Sequence, residues 1–368
     1  MLLLSLPLLL LSPRPAMSLR SIRALILAGT SLAALSFVPV AQAGESAPAQ
    51  ARDVRAWLLR IHEAAGHRNF QGTFIVSGGG AVSSARIAHY CEGKNQFERS
   101  ESLDGQPRRV FRYNDVVHTV WPAARLAVVE QRDLLSSFPA LLQAGDDRIG
   151  EFYEVRSLAP DRVAGHDANV LQVRPKDGYR YGYRLWADQA SGLLLRADVI
   201  GERGDVLETS AFSEVSIDVR PQPETVLQPM KKLEKLEGYR IVRPTLTSTS
   251  LEAEGWTLRV GVPGFRQVSC VKRPIEGALP DDREPGVPGA KEHTSTPVLQ
   301  TIFSDGLTYV SVFIEPFDPQ RHTHAMSTAV GPTQTLMQQQ GDWWVTVIGD
   351  VPPSTLRQFA KGLERKGK

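Results

Sequence analysis

Cysteine is scarce in this chain of 368 residues, with Cys91 and Cys270 the only two. Both fall in the part read below as exported, where a disulfide can persist, and joining them would close a very long loop worth roughly 5 kcal/mol on the chain-entropy view. The sequence leaves both that pairing and two separately buried thiols open. An excess of one charge is also missing. The formal charge is +2, and it falls to about −1 once an N-terminal segment holding Arg14, Arg20, Arg23 and no acid is removed. A nearly neutral body has no electrostatic footprint for nucleic acid.

Signatures of catalysis are absent too. No G-x-S-x-G elbow exposes a nucleophile. Gly78-Gly79-Gly80 lacks the Lys and Ser/Thr of a phosphate loop and opens no helix, so it reads as a turn. His322 and His324 sit one residue apart in a polar stretch without nearby Cys, a weak metal-ligand set that reads as a solvated loop. Ser304-Asp305-Gly306 puts a serine beside an acid but reads as a hairpin turn. Glu98 and Glu101 differ by an odd number and face opposite sides of a strand, while Asp104-Gly105 is a turn. No enzyme activity, cofactor or metal is expected.

What is present begins with an export signal. From Met17 the chain reads M-S-L-R-S-I-R, then an apolar run from Ala24 to Val38, then Ala41-Gln42-Ala43 before Gly44. This order of charged, apolar and cleavable segments predicts a signal peptide over 1–43, with the true start at Met17, and a soluble, Sec-exported protein that is secreted or periplasmic. Gly29, Thr30, Ser31 and Ser36 dilute the run, which is shorter than the roughly 20 residues of a membrane span. Gly44 rather than Cys follows the cleavage site, so no lipid anchor is implied, and Arg20 and Arg23 are not adjacent as the twin-arginine route requires.

The most patterned stretch runs from Tyr179 to Leu195, Y-R-Y-G-Y-R-L-W-A-D-Q-A-S-G-L-L-L. Alternation places Tyr179, Tyr181, Tyr183 and Leu185 on one face of a strand and Arg180, Gly182, Arg184 and Trp186 on the other. Asp188 to Gly192 supplies turn chemistry, and Leu193, Leu195, Ala197 and Val199 return along a partner strand. Before it, Asp53 is read as the N-cap of a helix whose Val54, Trp57, Leu58, Ile61 and Ala65 form an apolar stripe. Short strands follow from Asn69 to Gln131, a helical insertion is expected at Asp133 to Ala144, and strands resume from Asn169 to Ile217. Pro221, Pro223, Pro229 and the lysine-rich 230–236 stretch predict an exposed linker. A second unit then carries strands near Trp256, Phe265, Val298, Leu307 and Trp343, a polar loop from Pro274 to Pro297, and a helix from about Pro353 to Glu364 whose Pro353 suits the first turn.

Several of these segments carry a resemblance. N-F-Q-G-T-F-I-V at 69–76, R-I-A-H, E-R-S-E-S-L-D-G at 98–105, R-V-A-G-H at 162–166, Y-R-Y-G-Y-R-L-W-A-D, I-F-S-D-G-L-T-Y-V-S-V-F-I-E-P at 302–316 and W-V-T-V-I-G-D-V-P at 344–352 resemble the MucB/RseB family, periplasmic negative regulators of the sigma-E envelope-stress response. The resemblance covers both halves of the chain in order. It implies an α+β protein: a large incomplete antiparallel β-barrel with helices, similar to LolA and LolB, over 50–218, a linker over 219–238, and a smaller mixed α+β domain over 239–364.

It also implies a partner, the periplasmic domain of a single-span anti-sigma factor, which the protein shields from the first protease of a cascade. Lipopolysaccharide or another lipid relieves that block, and a homodimer is in keeping with the family. On this reading Phe74, Val76, Phe97, Trp121, Tyr181, Tyr183 and Leu185 are candidates to line a lipid cavity. Arg180, Arg184 and Trp186 of the hairpin, with Phe303, Tyr309 and Phe313 of the 302–316 run, are candidates to meet the partner. Against each stands the simpler assignment, packed core for the aromatics and solvated surface for the arginines. A soluble lipid or lipoprotein carrier using the same cavity is the alternative function, and a hydrolase is disfavoured by the missing nucleophile.

Overall fold

Alternating apolar residues separated by turn formers build a strand-rich chain in the computed structural model, which describes residues 47–131, 148–233, 237–273 and 297–366. The expected signal peptide, the helical insertion at 133–144 and nearly all of the 274–297 loop lie outside the described residues. Helix α1 (Ala47–His67) leads to β1 (Phe70–Gly78), β2 (Ala81–Glu92), β3 (Asn95–Ser102), β4 (Arg109–Tyr113), β5 (Val116–Trp121) and β6 (Leu126–Gln131). A short α2 (Ile149–Phe152) opens into β7 (Tyr153–Val163), β8 (His166–Pro175), β9 (Gly182–Asp188), β10 (Leu194–Ile200) and β11 (Val206–Ile217). Next come α3 (Glu224–Leu233), β12 (Arg240–Val242), β13 (Thr247–Ser248), β14 (Trp256–Leu258) and β15 (Arg266–Arg273). The chain continues through β16 (Val298–Ser304), β17 (Tyr309–Pro316), β18 (Met326–Val330), β19 (Thr333–Gln340) and β20 (Trp343–Gly349) to α4 (Pro353–Gly362) and β21 (Leu363–Arg365).

Two hairpin meanders make one 12-stranded sheet in the order β12-β6-β5-β4-β3-β2-β1-β11-β10-β9-β8-β7. It is joined in the middle where β11 returns antiparallel to β1, and β12 adds to β6 in parallel. The sheet is open, with β12 and β7 as its edges, so the barrel stays incomplete. Its curvature is strong enough to bring the His166 ring nitrogen of β8 within 3.2 Å of the Val215 carbonyl on β11, although β9 and β10 lie between them. A 7-stranded sheet, β13-β15-β16-β17-β20-β19-β18, and the β14–β21 pair form the smaller lobe with α4.

Helix α1 buries Leu58, Ile61 and Ala64. It begins upstream of the expected start, so Asp53 lies inside the helix rather than at its cap. The β9–β10 hairpin forms as expected: Asp188 Oδ2 accepts from Ser191 N at 2.6 Å and Ser191 Oγ at 2.7 Å, a local turn that side-chain oxygens favour. One expectation needs correcting. Leu194 opposes Ala187 while Arg196 opposes Trp186, so Leu195 is an inserted bulge residue. A bulge resets which face a strand presents, and Leu193 and Leu195 therefore join Trp186, Phe74 and Phe212, whereas Ala197 and Val199 pack with Tyr183 and Leu185.

The exposed linker over 219–238 is also corrected. Its centre is α3, which buries Val226, Met230 and Leu233 against Tyr90, Phe97 and Phe111. Each such side chain contributes about 2 kcal/mol on burial, enough to hold a proline-containing helix on the sheet. Residues 240–242, expected in the smaller domain, extend the first sheet as β12. Cys91 and Cys270 are free thiols in different lobes, Cys91 donating to the Gly66 carbonyl at 3.1 Å and Cys270 packed in the second core.

Candidate functional site

The segment between β8 and β9 cannot continue either strand, because Asp177 turns the chain by accepting from the Tyr179 N–H at 3.0 Å. Tyr179 to Tyr181 therefore precede β9 as a bent segment, and Arg180 points into the joint between the two sheets instead of outward. There it meets Asp305, in the β16–β17 turn of the smaller lobe, with Nε donating to Oδ2 at 2.6 Å. The other guanidinium nitrogens donate to Asp177 Oδ2 and the Pro263 carbonyl. Phe152 and Phe265 flank the guanidinium with ring centroids 4.5 Å and 5.0 Å from it.

Asp305 is as fully engaged. Oδ2 also accepts from Tyr153 Oη at 2.8 Å, and Oδ1 accepts from the Leu307 and Thr308 N–H groups at 2.9 Å each. A buried ion pair is tolerated when hydrogen bonds satisfy its remaining donors and lone pairs, and this one meets that condition. Burial works against the Arg180 charge, but Asp305 and Tyr153 overcome it and leave its pKa raised. Burial first, then the Asp305 charge, push the Tyr153 hydroxyl well above its ordinary value. Gly264 makes room for the latch: its φ is +84°, and a Cβ there would sit 2.8 Å from the Phe152 ring and against the guanidinium.

Beside this latch lies a second set of contacts. Leu307 enters the core of the larger lobe with Tyr181, Tyr183, Leu185, Leu171 and Ile149. Tyr183 hydrogen-bonds Thr308 and Tyr181 hydrogen-bonds Gln334, both across the joint. Thr308 Oγ1 donates to the Asp350 carbonyl at 3.2 Å, and Thr333 Oγ1 donates to Asp350 Oδ1 at 2.6 Å. Burial pushes the Asp350 carboxyl up to about 6, Glu208 of β11 adding to the rise and the Thr333 bond opposing it. Tyr181 is pushed up to about 12, first by burial and then by Glu202. Gly79, at φ +59°, abuts the second lobe so closely that a Cβ would lie 2.6 Å from Gly331 N. Thr355 Oγ1, in α4, closes the joint on the Tyr179 carbonyl at 2.9 Å.

The residues singled out from sequence distribute unevenly over this architecture. Tyr181, Tyr183 and Leu185 come together at the joint. Phe74 and the half-buried Val76 belong to a different cluster, Phe74 edge-on to Phe212 at 5.1 Å. Phe97 stacks on Tyr113 at 5.2 Å in the cluster that α3 covers, and Trp121 is half-buried at the end of β5. The seven thus do not line one surface. Arg180 is corrected from surface contact to buried latch, since its turn directs it inward. Trp186 and Phe303 are core: Trp186 donates Nε1–H to Asp161 at 3.0 Å beneath Arg196, and Phe303 packs on Phe359 at 5.0 Å. Arg184 and Phe313 are half-buried, and Tyr309 is 37% exposed at the joint.

His322 is likewise no solvated residue, because its ring stacks on Trp344 at 4.7 Å while Nδ1 accepts from the Asp318 N–H at 2.9 Å. Ser304 Oγ donates to the Thr308 carbonyl at 2.8 Å and so serves the turn. Among the described residues no group of three His, Cys, Asp or Glu is placed to hold a metal, and no helix is long and apolar enough to cross a membrane. Sequence reasoning missed Asp305, Asp350, Glu208, Tyr153 and Gly264. Only Asp305 left a signal, an acid in a turn motif, and that motif accounts for just one of its two oxygens.

Comparison with known proteins gives a consistent picture. The family profile of the MucB/RseB N-terminal domain matches residues 53–230, and that of the MucB/RseB C-terminal domain matches residues 250–364. The sigma factor AlgU regulatory protein MucB of Pseudomonas aeruginosa is 29% identical over 321 residues, covering 85% of this chain and 92% of its own. The sigma-E factor regulatory protein RseB of Escherichia coli is 23% identical, covering 84% and 90%. A crystal structure of MucB in complex with MucA(peri) superimposes with a TM-score of 0.58 at 27% identity, covering 85% of this chain and 99% of that one.

Proposed function

Because the chain belongs to the MucB/RseB family, we propose that it is a periplasmic negative regulator, binding the periplasmic domain of a membrane-spanning anti-sigma factor and shielding it from site-1 proteolysis. The observation that carries this reading is the match of both lobes, in order, to a regulator crystallised with MucA(peri). Shielding needs no chemistry from the protein, only a surface that occludes the cleavage site, and the chain is accordingly a binding protein and not an enzyme. Export by a cleaved signal over 1–43, a division into a larger lipid-responsive domain and a smaller partner-binding one, and a homodimeric state belong to the same reading.

Lipid or lipopolysaccharide relieves the block by binding more tightly to a form that does not grip the partner. Such relief requires unfavourable coupling between the two ligands. Lipid meets the half-buried Val76 and Trp121 first, since Phe74, Phe97, Tyr181, Tyr183 and Leu185 are packed. Partner contacts fall on Arg184, Tyr309 and Phe313, which keep accessible surface.

The test combines the mature protein, the periplasmic domain of a single-span anti-sigma factor from the same cell, and a site-1 protease. Cleavage should slow when the protein is added and recover with lipopolysaccharide. Lipopolysaccharide binding without any capture of the anti-sigma domain would move the function to a soluble lipid or lipoprotein carrier.

A further inference from the structure

The edge strand of a sheet presents a row of unpaired N–H and C=O groups, and proteins guard it with charge, proline, a bulge or brevity. Most edges among the described residues follow that rule. β7 carries Glu154, Arg156, Pro160, Asp161 and Arg162 and loses register between Leu158 and Asp161. β12, β14 and β21 span three residues each, and β13 spans two. β18 has none of these protections. Met326-Ser-Thr-Ala-Val330 forms an edge of the 7-stranded sheet with no charge, no proline and an unbroken register against β19, itself uncharged as T-Q-T-L-M-Q-Q-Q. Among the described residues β18 pairs with β19 alone, so alternate N–H and C=O groups face outward. Ser327 to Val330 are exposed. Leu336 of β19 packs on the second core, yet Ser327, its cross-strand partner on the same face, lies in water. The core therefore stops one strand short of the edge of its own sheet.

We propose that β18 is a strand-addition site, and that its occupant is an extended, uncharged segment of the anti-sigma factor's periplasmic domain. The identity of the occupant rests on the regulator reading above. Outward-facing backbone in strand register selects a chain that is itself extended, with main-chain bonds giving affinity and alternate side chains giving register. A charged side chain beside the strand would find no counter-charge on β18 or β19, so the segment is neutral along this stretch. A second copy of the chain fits less well. Stable pairing of two globular proteins takes about 20–30 residues a side, and β18 offers five. Beyond Val330 the edge runs into the larger lobe, where Gly331 abuts Gly79 of the β1–β2 turn. A strand laid along β18 thus reaches the seam between the lobes.

Hydrogen exchange of the full mature protein, alone and with the anti-sigma periplasmic domain, is the test. Binding should slow exchange over Ser327 to Val330 by about tenfold or more and leave β7 unchanged. In a binding titration, Ser327→Lys with Ala329→Lys should weaken capture of the domain by about tenfold or more at an unchanged urea midpoint, whereas the neutral pair Ser327→Thr with Ala329→Thr should retain it. The exchange measurement needs no variant, so it decides even where the lysines disturb folding. If the wild type captures the domain while β18 stays unprotected, or the folded lysine variant binds as well as the wild type, the strand-addition site is overturned and the regulator reading stands. Failure of the wild type to capture the domain would overturn both. Protection of β18 that grows with protein concentration in the absence of the domain would assign the edge to a second copy, against the proposal.

Discussion

Within one joint, the latch around Arg180 and the cluster around Asp350 resolve the burial of charge differently. At the latch every polar atom of Asp305 is occupied and the opposite charge lies 2.6 Å away. At the cluster Asp350 is half-buried, accepts from Thr333 Oγ1, and has its pKa raised by burial and by the Glu208 charge. The comparison teaches that an acid joined by a cation from the other lobe becomes a fixed clamp, whereas one supported by a hydroxyl of its own lobe stays titratable.

The most severe way to break the comparison is to strip the latch of its compensation. Asp305→Ala leaves the buried guanidinium with only the partly exposed Asp177 as a counter-charge and should cost about 3 kcal/mol, read as a fall in the urea midpoint at constant slope. Arg180→Met combined with Asp305→Leu should recover most of that loss, and a near-neutral single variant would show that the latch does not hold the lobes. Crowding the same site comes next. Gly264→Ala forces a side chain at φ +84° against Phe152 and Arg180, for an expected cost of about 2–3 kcal/mol in the same experiment.

The cluster should respond to pH where the latch does not. Wild-type stability should fall by about 2 kcal/mol between pH 4.5 and 7.5 through Asp350, because its folded pKa is raised and the native state holds the extra proton below that value. Denaturation of Asp350→Asn across the same range should lack that portion of the slope, while Arg180→Met should retain it. The smallest effect sharpens the assignment: Thr333→Val removes the one bond that favours ionised Asp350, so it should cost about 1 kcal/mol at neutral pH and shift the stability midpoint upward.

Much of this was legible in the chain. Alternation in Tyr181, Tyr183 and Leu185 and the Asp188–Gly192 turn were read correctly because strand period and turn chemistry act over a few residues. The bulge at Leu195 escaped the same reasoning, since nothing in L-L-L-R announces an inserted residue. In the supposed linker, Pro229 and the lysines outweighed Val226, Met230 and Leu233, whose spacing was the better guide to α3. His322 and Arg180 were assigned to the surface from their polarity, an inference that fails when the fold supplies Trp344 or Asp305 as a partner.

By itself the sequence determined the family, through long segments matching in order, together with the strand-rich α+β class and most hairpins, because these depend on short-range periodicity. Only the tertiary structure decided that α3 covers the sheet, that the predicted site residues separate into different clusters, and that Asp305 meets Arg180 across the two lobes. Arg180 and Asp305 lie 125 residues apart. Whether such distant charges meet, and whether water remains between them, is set by how the two sheets close, and no local pattern encodes it.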